Sequence, residues 1–433
     1  MKVFMLGWEF PPFISGGLGT ACYGLTKALD QLGIQVTFVL PRKVDSKYAT
    51  HVKLLTPGAQ ISTSTLAFKE LKNVVFRTIN SPLQPYSTPD VYQRQIEEIL
   101  RQKQEGKINT PNRLPGVMDY GNDMQTEVHR YAAAVVELSG YEQFDIIHAH
   151  DWMTYPAGIA VAAITDKPLI VHVHSTEFDR SGENVNQMIY DIEREGMERA
   201  DKVIAVSYYT RNIIISRYGI SGDKVEVVYN GVERNGSDSW ALAGTGINKD
   251  EKIVLFLGRI TMQKGPEYFL QAAKKVLDML DNVKFVMAGS GDMMHRAVEM
   301  AAELGIGHKV LFTGFLRGEE VRKIYKMADL YVMPSVSEPF GIAPLEALDN
   351  DVPVIISKQS GVSEVLMHAL KVDFWDVNEI ANMVIAVLKY PPLEMTLRNH
   401  GNFEVRRLQW KDCALKCAKI YTETQMQSEK YVS

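Results

Sequence analysis

Several features that would mark other classes of protein are missing from this sequence. Three cysteines in 433 residues are too few, and odd in number, for a disulfide framework. A reducing compartment, the cytoplasm, is the expectation. No stretch approaches the ~18 uninterrupted apolar residues of a membrane span. The opening apolar run, Val3 to Gly7, is too brief for a signal peptide and is followed by Glu9. Membrane contact is therefore expected to be peripheral at most. Basic excess is also missing: the net charge is -5, without a dense Lys/Arg tract, so no nucleic-acid partner is expected.

What is present is the balance of a folded globular chain, 46% hydrophobic and 23% charged, at a length that calls for two hydrophobic cores rather than one. Short apolar runs alternate with amphipathic stretches, the pattern of parallel strands joined by crossover helices. Strands are predicted at 2–7, 35–40, 73–78, 144–149, 168–173, 202–206 and 225–229, with helices at 18–32, 122–138, 184–199 and 208–217. A polar stretch containing Asn235-Gly236-Ser237-Asp238 breaks the alternation and reads as a linker. The pattern restarts with strands at 253–258, 284–288, 309–312, 330–333 and 353–356 and helices at 266–279, 293–304, 318–327 and 342–349. The expected division is a first domain at 1–235, a linker at 236–250 and a second domain at 251–402. A last helix at 403–424, carrying Trp410, would pack back across the first domain. Region 80–120 is punctuated by Pro82, Pro85, Pro89, Pro111 and Pro115 around one helical stretch at 90–104, and it reads as an acceptor-side insertion.

Three strand-to-helix turns carry chemistry. The first strand runs into Trp8-Glu9-Phe10-Pro11-Pro12 and then Gly16-Gly17-Leu18-Gly19. Glycines there let backbone amides approach phosphate oxygens, although a tight turn alone would look similar. Gly258-Arg259 and Lys264-Gly265 put two cations at the end of the next domain's first strand, where they could neutralise a departing diphosphate. Taken alone this is also an ordinary solvated basic turn. The third turn is Ser337-Glu338-Pro339-Phe340-Gly341-Ile342-Ala343-Pro344-Leu345-Glu346, with Glu338 in a loop and Glu346 a turn into a helix. The two acids can then address different parts of one ligand. Two histidine motifs, His148-Ala149-His150-Asp151-Trp152 and His172-Val173-His174-Ser175-Thr176-Glu177, fall at strand ends of the first domain.

Together these motifs resemble the GT-B glycosyltransferases, specifically the retaining family 4 group and the related glycogen and starch synthases. The likeness runs from Trp8 through Asn230-Gly231-Val232 to Trp410, and its most specific mark is the E-x7-E pair Glu338 and Glu346. It implies an α/β protein of two Rossmann-like doubly wound domains facing a cleft, binding a nucleotide-sugar as substrate without a metal or other cofactor. Carried over by residue, Arg259 and Lys264 hold the diphosphate, Glu346 the ribose hydroxyls and Glu338 the transferred sugar. The backbones of Gly17, Phe340, Gly341, Ile342 and Ala343 approach phosphates or sugar hydroxyls. His174 reaches the donor sugar, so His174, Arg259, Lys264 and Glu338 form the implied catalytic set. No protein nucleophile is implied; the departing phosphate assists the acceptor hydroxyl on the same face. His150 and Asp151 match the HDW motif of glycogen synthases, but Met153 stands where those enzymes often have another histidine. Ser15 stands where bacterial starch synthases usually have a lysine, which places the chain nearer family 4 and archaeal-type synthases.

Other strings have plainer readings. Asp349-Asn350-Asp351 imitates a D-x-D metal motif but follows the Glu346 helix and reads as a surface turn. Cys413 and Cys417 lack further zinc ligands and read as core-facing thiols. Gly289-Ser290-Gly291-Asp292 lacks the third glycine of a dinucleotide loop, since Met294 occupies that place. The expected activity is hexosyl transfer, glucose first, from UDP-glucose or ADP-glucose onto an α-glucan such as glycogen. His150, Asp151, Tyr86, Tyr120 and Asn122 are the candidate acceptor or sugar contacts. The alternatives are a family 4 transferase of lipid-linked or surface polysaccharide, and a GT-B nucleotide-sugar epimerase or binding protein.

Overall fold

The computed structural model describes residues 1–10, 16–40, 73–78, 124–232 and 251–432. Seven strands form the first sheet: β1 Lys2–Leu6, β2 Gln35–Leu40, β3 Val74–Thr78, β4 Ile146–His150, β5 Leu169–Val173, β6 Lys202–Ala205 and β7 Val225–Val227. Their spatial order is β3-β2-β1-β4-β5-β6-β7, and every pairing is parallel. Six more, β8 Lys252–Leu257, β9 Val283–Ala288, β10 Val310–Gly314, β11 Leu330–Met333, β12 Val354–Ser357 and β13 Leu370–Val372, form a second parallel sheet in the order β10-β9-β8-β11-β12-β13. Central strands such as β4 and β5 are buried at every residue, which is why they read as unbroken apolar runs rather than alternating ones.

Helices cover these sheets. In chain order they are α1 Gly17–Gln31, α2 Met124–Ser139, α3 Tyr155–Thr165, α4 Glu177–Ser181, α5 Gln187–Arg199, α6 Tyr208–Tyr218, α7 Pro266–Leu277, α8 Met294–Glu303, α9 Glu319–Met327, α10 Ile342–Asp349, α11 Val377–Lys389, α12 Pro391–Val405 and α13 Trp410–Val432. Two doubly wound α/β halves are thus established, as expected. The expected helix at 403–424 is corrected to two, α12 and α13, separated at Arg406–Gln409. The predicted helix at 90–104 and the linker at 236–250 lie outside the described residues.

The return of the last helix to the first domain has a clear physical basis. Trp410, Cys413, Ala414, Cys417, Ile420 and Tyr421 belong to the same buried core as β1 and α1. Gly24 of α1 sits directly beneath the Trp410 indole; a Cβ there would lie 2.1 Å from Trp410 Cε2, so only glycine lets the two helices close. Where the chain passes between domains, Val232 donates its N–H to Leu408 O at 3.0 Å, and Gly231 lies against the Trp410 backbone. The three cysteines are buried free thiols.

The domains touch through specific polar contacts. Ser207 Oγ and Thr210 Oγ1 both donate to Pro339 O, at 2.6 and 3.2 Å. Glu364 of the second domain accepts from the Tyr208 and Tyr209 amides at the start of α6 and from Tyr229 Oη. Those amides belong to a helix N-terminus, where a carboxylate is favoured.

Candidate active site

In a doubly wound sheet the ligand crevice opens at the carboxyl ends of the two strands where the strand order reverses. Here those pairs are β1/β4 and β8/β11. The sequence motifs sit at or beside them: Trp8–Gly19 follows β1, His150-Asp151 ends β4, His172–Glu177 leaves the neighbouring β5, Gly258–Lys264 follows β8 and Ser335–Gly341 follows β11. The topology therefore gathers motifs that are more than 300 residues apart in the chain.

In the second domain the loops knit tightly together. Lys264 Nζ donates to Glu338 Oε2 at 2.5 Å, and Ser335 Oγ donates to the same oxygen at 3.2 Å. Glu338 is 7% exposed, so this pair sits largely out of water, where charge attraction is strong. Arg259 donates to Gln263 Oε1 at 3.0 Å, and the buried Gln263 accepts from the Val336 amide through its backbone oxygen. Gly265 has φ +66° and a Cβ position 2.1 Å from Pro334 O, so glycine is what allows the lysine loop to press on the glutamate loop. Gly289 and Gly291, which resembled a dinucleotide loop, serve the same end. Cβ atoms there would lie 1.8 Å from Gly258 O and 2.2 Å from Ile260 O, the loop that bears Arg259. Glu346 accepts from Tyr325 Oη at 3.1 Å, and burial pushes its carboxyl above the usual range.

Some helices begin at a side-chain cap and others, α3, α8, α9 and α12 among them, do not. α4, α5, α6 and α11 start at Thr176, Asn186, Ser207 and Asp376, whose side chains accept from the orphan amides of the first turn. α1, α7 and α10 start instead at Gly16, Gly265 and Gly341, with no side-chain cap. These last three follow the motif loops. Their first-turn amides, including those of Ile342 and Ala343, are placed to receive anionic oxygens. Glu9 partly closes one of them, accepting from the Gly19 amide at 3.1 Å. Gly17 differs from the packing glycines because a Cβ on it meets no atom within 4 Å. Gly17→Val is accordingly expected to leave the unfolding midpoint unlowered while raising the donor KM by ~10-fold or more, the worth of one charge-assisted hydrogen bond. Wild-type donor kinetics would sink the assignment of this amide.

The first domain contributes a buried array of imidazoles. His148 and His150 alternate on β4, and His172 and His174 alternate at the end of β5, so all four project from one face of adjacent strands. His150 Nδ1 lies 2.8 Å from His174 Nε2, and His148 Nε2 lies 3.2 Å from His172 Nδ1. Tyr421 of the returning helix reaches His148 Nδ1 at 2.6 Å. Asp151, at φ 59°, turns its carboxylate back to accept from the His174 and Ser175 amides at 2.7 and 3.4 Å. His150 and Asp151, expected as acceptor or sugar contacts, are thus buried and hold His174 from behind. Among the described residues, His148, His150 and His172 are the one group of three or more His, Cys, Asp or Glu side chains whose ligand atoms all come within 4.8 Å of one another.

Burial drives the titration of this array in opposite directions. Desolvation lowers His148 and His174 to about 3, His148 also through the His174 charge, and together with the neighbouring imidazoles it holds His150 and His172 well below the usual histidine range. It raises Asp151 to about 7. The unfolded chain binds more protons on the histidines below pH 6.5, so their contribution to stability falls as pH drops toward 3. The dependence is on the order of 1 kcal/mol per pH unit for each proton taken up on unfolding. Asp151 opposes this, stabilising as pH falls from 7 toward 3.8, and so do Asp179, Glu193 and Glu346, whose carboxyls burial also raises. The histidine share is isolated by following the imidazole signals by NMR between pH 6.5 and pH 4.5, where all four are expected to stay neutral in the folded protein. Protonation of any of them within that window would mean that the histidines are not buried neutral.

Tyr86, Tyr120 and Asn122 lie outside the described residues. Asp349 to Asp351 forms the end of α10 and the turn after it, with Asp351 at φ 61°. Sequence reasoning did not assign Ser337, Asp179, Tyr209 or Glu364; their signal is interdomain, between residues more than 120 apart.

The architecture and the placement of the loops define a two-domain GT-B protein. Residues 88–235 match Glycosyltransferase Family 4, and residues 242–402 match Glycosyl transferases group 1. An uncharacterized glycosyltransferase of Methanocaldococcus jannaschii is 32% identical, over 97% of this chain and 98% of its own. The glycogen synthase of Mycobacterium tuberculosis is 22% identical, over 97% and 94%. Among solved structures, sucrose-phosphate synthase from Thermosynechococcus elongatus superposes with TM-score 0.73 at 19% identity, covering 98% of both chains. Anabaena HepE in complex with UDP and glucose gives 0.69 at 18%, covering 98% and 100%. The chain belongs to the family 4 group of GT-B glycosyltransferases. Among the described residues, no helix is long and apolar enough to cross a membrane.

Proposed function

We propose that the protein is a retaining, metal-independent hexosyltransferase that moves glucose from UDP-glucose or ADP-glucose onto an α-glucan. The observation that carries this reading is the Lys264–Glu338 pair, held by Ser335 beside the uncapped N-terminus of α10. A cation and free amides suit a diphosphate, and an acid on the loop that leads into α10 suits sugar hydroxyls. In this reading Lys264 and Arg259 take up charge as the nucleoside diphosphate departs. Glu346 receives the ribose hydroxyls, and His174 contacts the sugar from the first domain. The acceptor hydroxyl attacks the anomeric carbon on the face the diphosphate leaves, and its proton passes to the departing phosphate oxygen. Positioning and charge stabilisation supply the rate. The likeness of the whole chain to a glycogen synthase supports a glucan acceptor.

A second reading, transfer to a small polyol phosphate, is favoured by one comparison. The D-inositol 3-phosphate glycosyltransferase of Mycolicibacterium smegmatis is 27% identical over 64% of this chain. The test is incubation with UDP-glucose, ADP-glucose and other donors, with glycogen or with inositol phosphate, with and without EDTA. Polymer growth and nucleotide release that persist in EDTA support the first reading. No transfer to glycogen from any glucosyl donor would sink it, and a strict Mg²⁺ requirement would overturn metal independence.

A further inference from the structure

Asp179 lies outside every motif used above, yet it is buried and its carboxylate joins the two halves of the site. One oxygen, Oδ2, accepts from the Thr176 amide and the Thr176 hydroxyl, both at 2.7 Å. Thr176 is two residues beyond His174. The other oxygen, Oδ1, accepts from Ser337 Oγ at 2.5 Å, in the opposite domain and next to Glu338. Ser337 in turn lies 2.9 Å from Tyr209 Oη. Having donated to Asp179, the serine hydroxyl accepts from Tyr209, so both its bonds go to the first domain.

The anchor on the first-domain side is rigid. Arg180 donates to Glu177 at 3.0 Å and also bonds Glu193, while Glu193 accepts from the Glu177 amide at 3.0 Å and from Tyr218 Oη. This network is buried, and Thr176 and Asp179 close a capping box over the same short helix, α4. α4 also packs against Met262–Lys264, the turn that carries Lys264. A small displacement of Ser337 therefore moves Glu338 relative to His174, with little slack on either side.

We infer that Asp179 and Ser337 are positioning residues: one carboxylate registers the His174 loop against the Glu338 loop, so that the sugar is gripped from both domains only when the domains are joined at this bond. The inference rests on the donor site proposed above. It requires an acceptor-only group at 179, since all three of its side-chain partners there donate, and a hydroxyl at 337.

The test uses the full chain with Ser337→Ala, Ser337→Thr and Asp179→Asn. Two readouts are needed: turnover with the donor established for the wild type, and the radius of gyration by small-angle scattering. UDP is the binding probe. Ser337→Ala is expected to lower kcat about tenfold or more, as loss of a charge-assisted hydrogen bond does. UDP affinity should stay within about twofold, because the hydroxyl does not touch the nucleotide in this account. The radius of gyration should increase as the domains part. Ser337→Thr should restore both readouts, and Asp179→Asn should resemble Ser337→Ala. Wild-type kcat and scattering in Ser337→Ala would overturn the inference. So would a parallel collapse of UDP affinity, or failure of Ser337→Thr to rescue. If the wild type transfers no sugar, the donor reading fails, while the scattering arm still decides whether this bond joins the domains.

Discussion

Lys264→Ala is expected to lower kcat by about 10²–10³-fold, the usual consequence of removing one preorganised charge-stabilising group. The reason lies in the surroundings of the side chain. Lys264 is held against Glu338 by a 2.5 Å ion pair, which keeps the ammonium at the strand end where the proposed diphosphate would arrive. A cation already desolvated and oriented needs little reorganisation when charge develops on the leaving group. The fold should survive, because the lysine side chain is 20% exposed and Ser335 still donates to Glu338. Circular dichroism and a melting curve would confirm that the variant is folded, and single-turnover kinetics would locate the loss. Wild-type turnover in a folded Lys264→Ala protein would remove the diphosphate role from this loop.

Trp410→Ala should cost about 3–5 kcal/mol of stability, the range for truncating a buried large aromatic. Trp410 is 7% exposed and lies over Gly24, a position at which no side chain is tolerated. Nothing else in that contact can fill the vacated space, since glycine offers no side chain to move. Chemical denaturation should show the unfolding of the first domain moving to lower denaturant. A change below about 1 kcal/mol would mean that α13 is not held by this contact.

The elements that could be read from sequence were those whose pattern is local. Buried parallel strands such as Lys2–Leu6, exposed only at Lys2, and Ile146–His150 announce themselves as short apolar runs between turns. α3 was missed because Tyr155–Thr165 is apolar on nearly all sides and carries almost no helical periodicity. β13, three residues at the sheet edge with a lysine in the middle, is too short to stand out. The break between α12 and α13 contains neither proline nor glycine, so the last residues of α12 read as the start of α13. In the site, the turns bearing Arg259, Lys264, Glu338 and Gly17 were legible because glycines and charges at strand ends have a local physical meaning. Their joining was not. The Asp179–Ser337 bond spans 158 positions, and the inward turn of Asp151 depends on a positive φ that no neighbouring residue demands. Gly289 and Gly291 show the same limit: their purpose is the close passage of another loop.

The return of α13 to the first core has a consequence for how the chain is made. β1 and α13 lie at opposite ends of the sequence and share one hydrophobic interior, whereas the second sheet is built wholly from the intervening residues 252–372. During vectorial synthesis the second sheet has all its strands while the first core still lacks Trp410, Ile420 and Tyr421. The half that begins first is therefore sealed last. His148, whose Nδ1 partner is Tyr421, acquires that hydrogen bond only when Tyr421 has emerged.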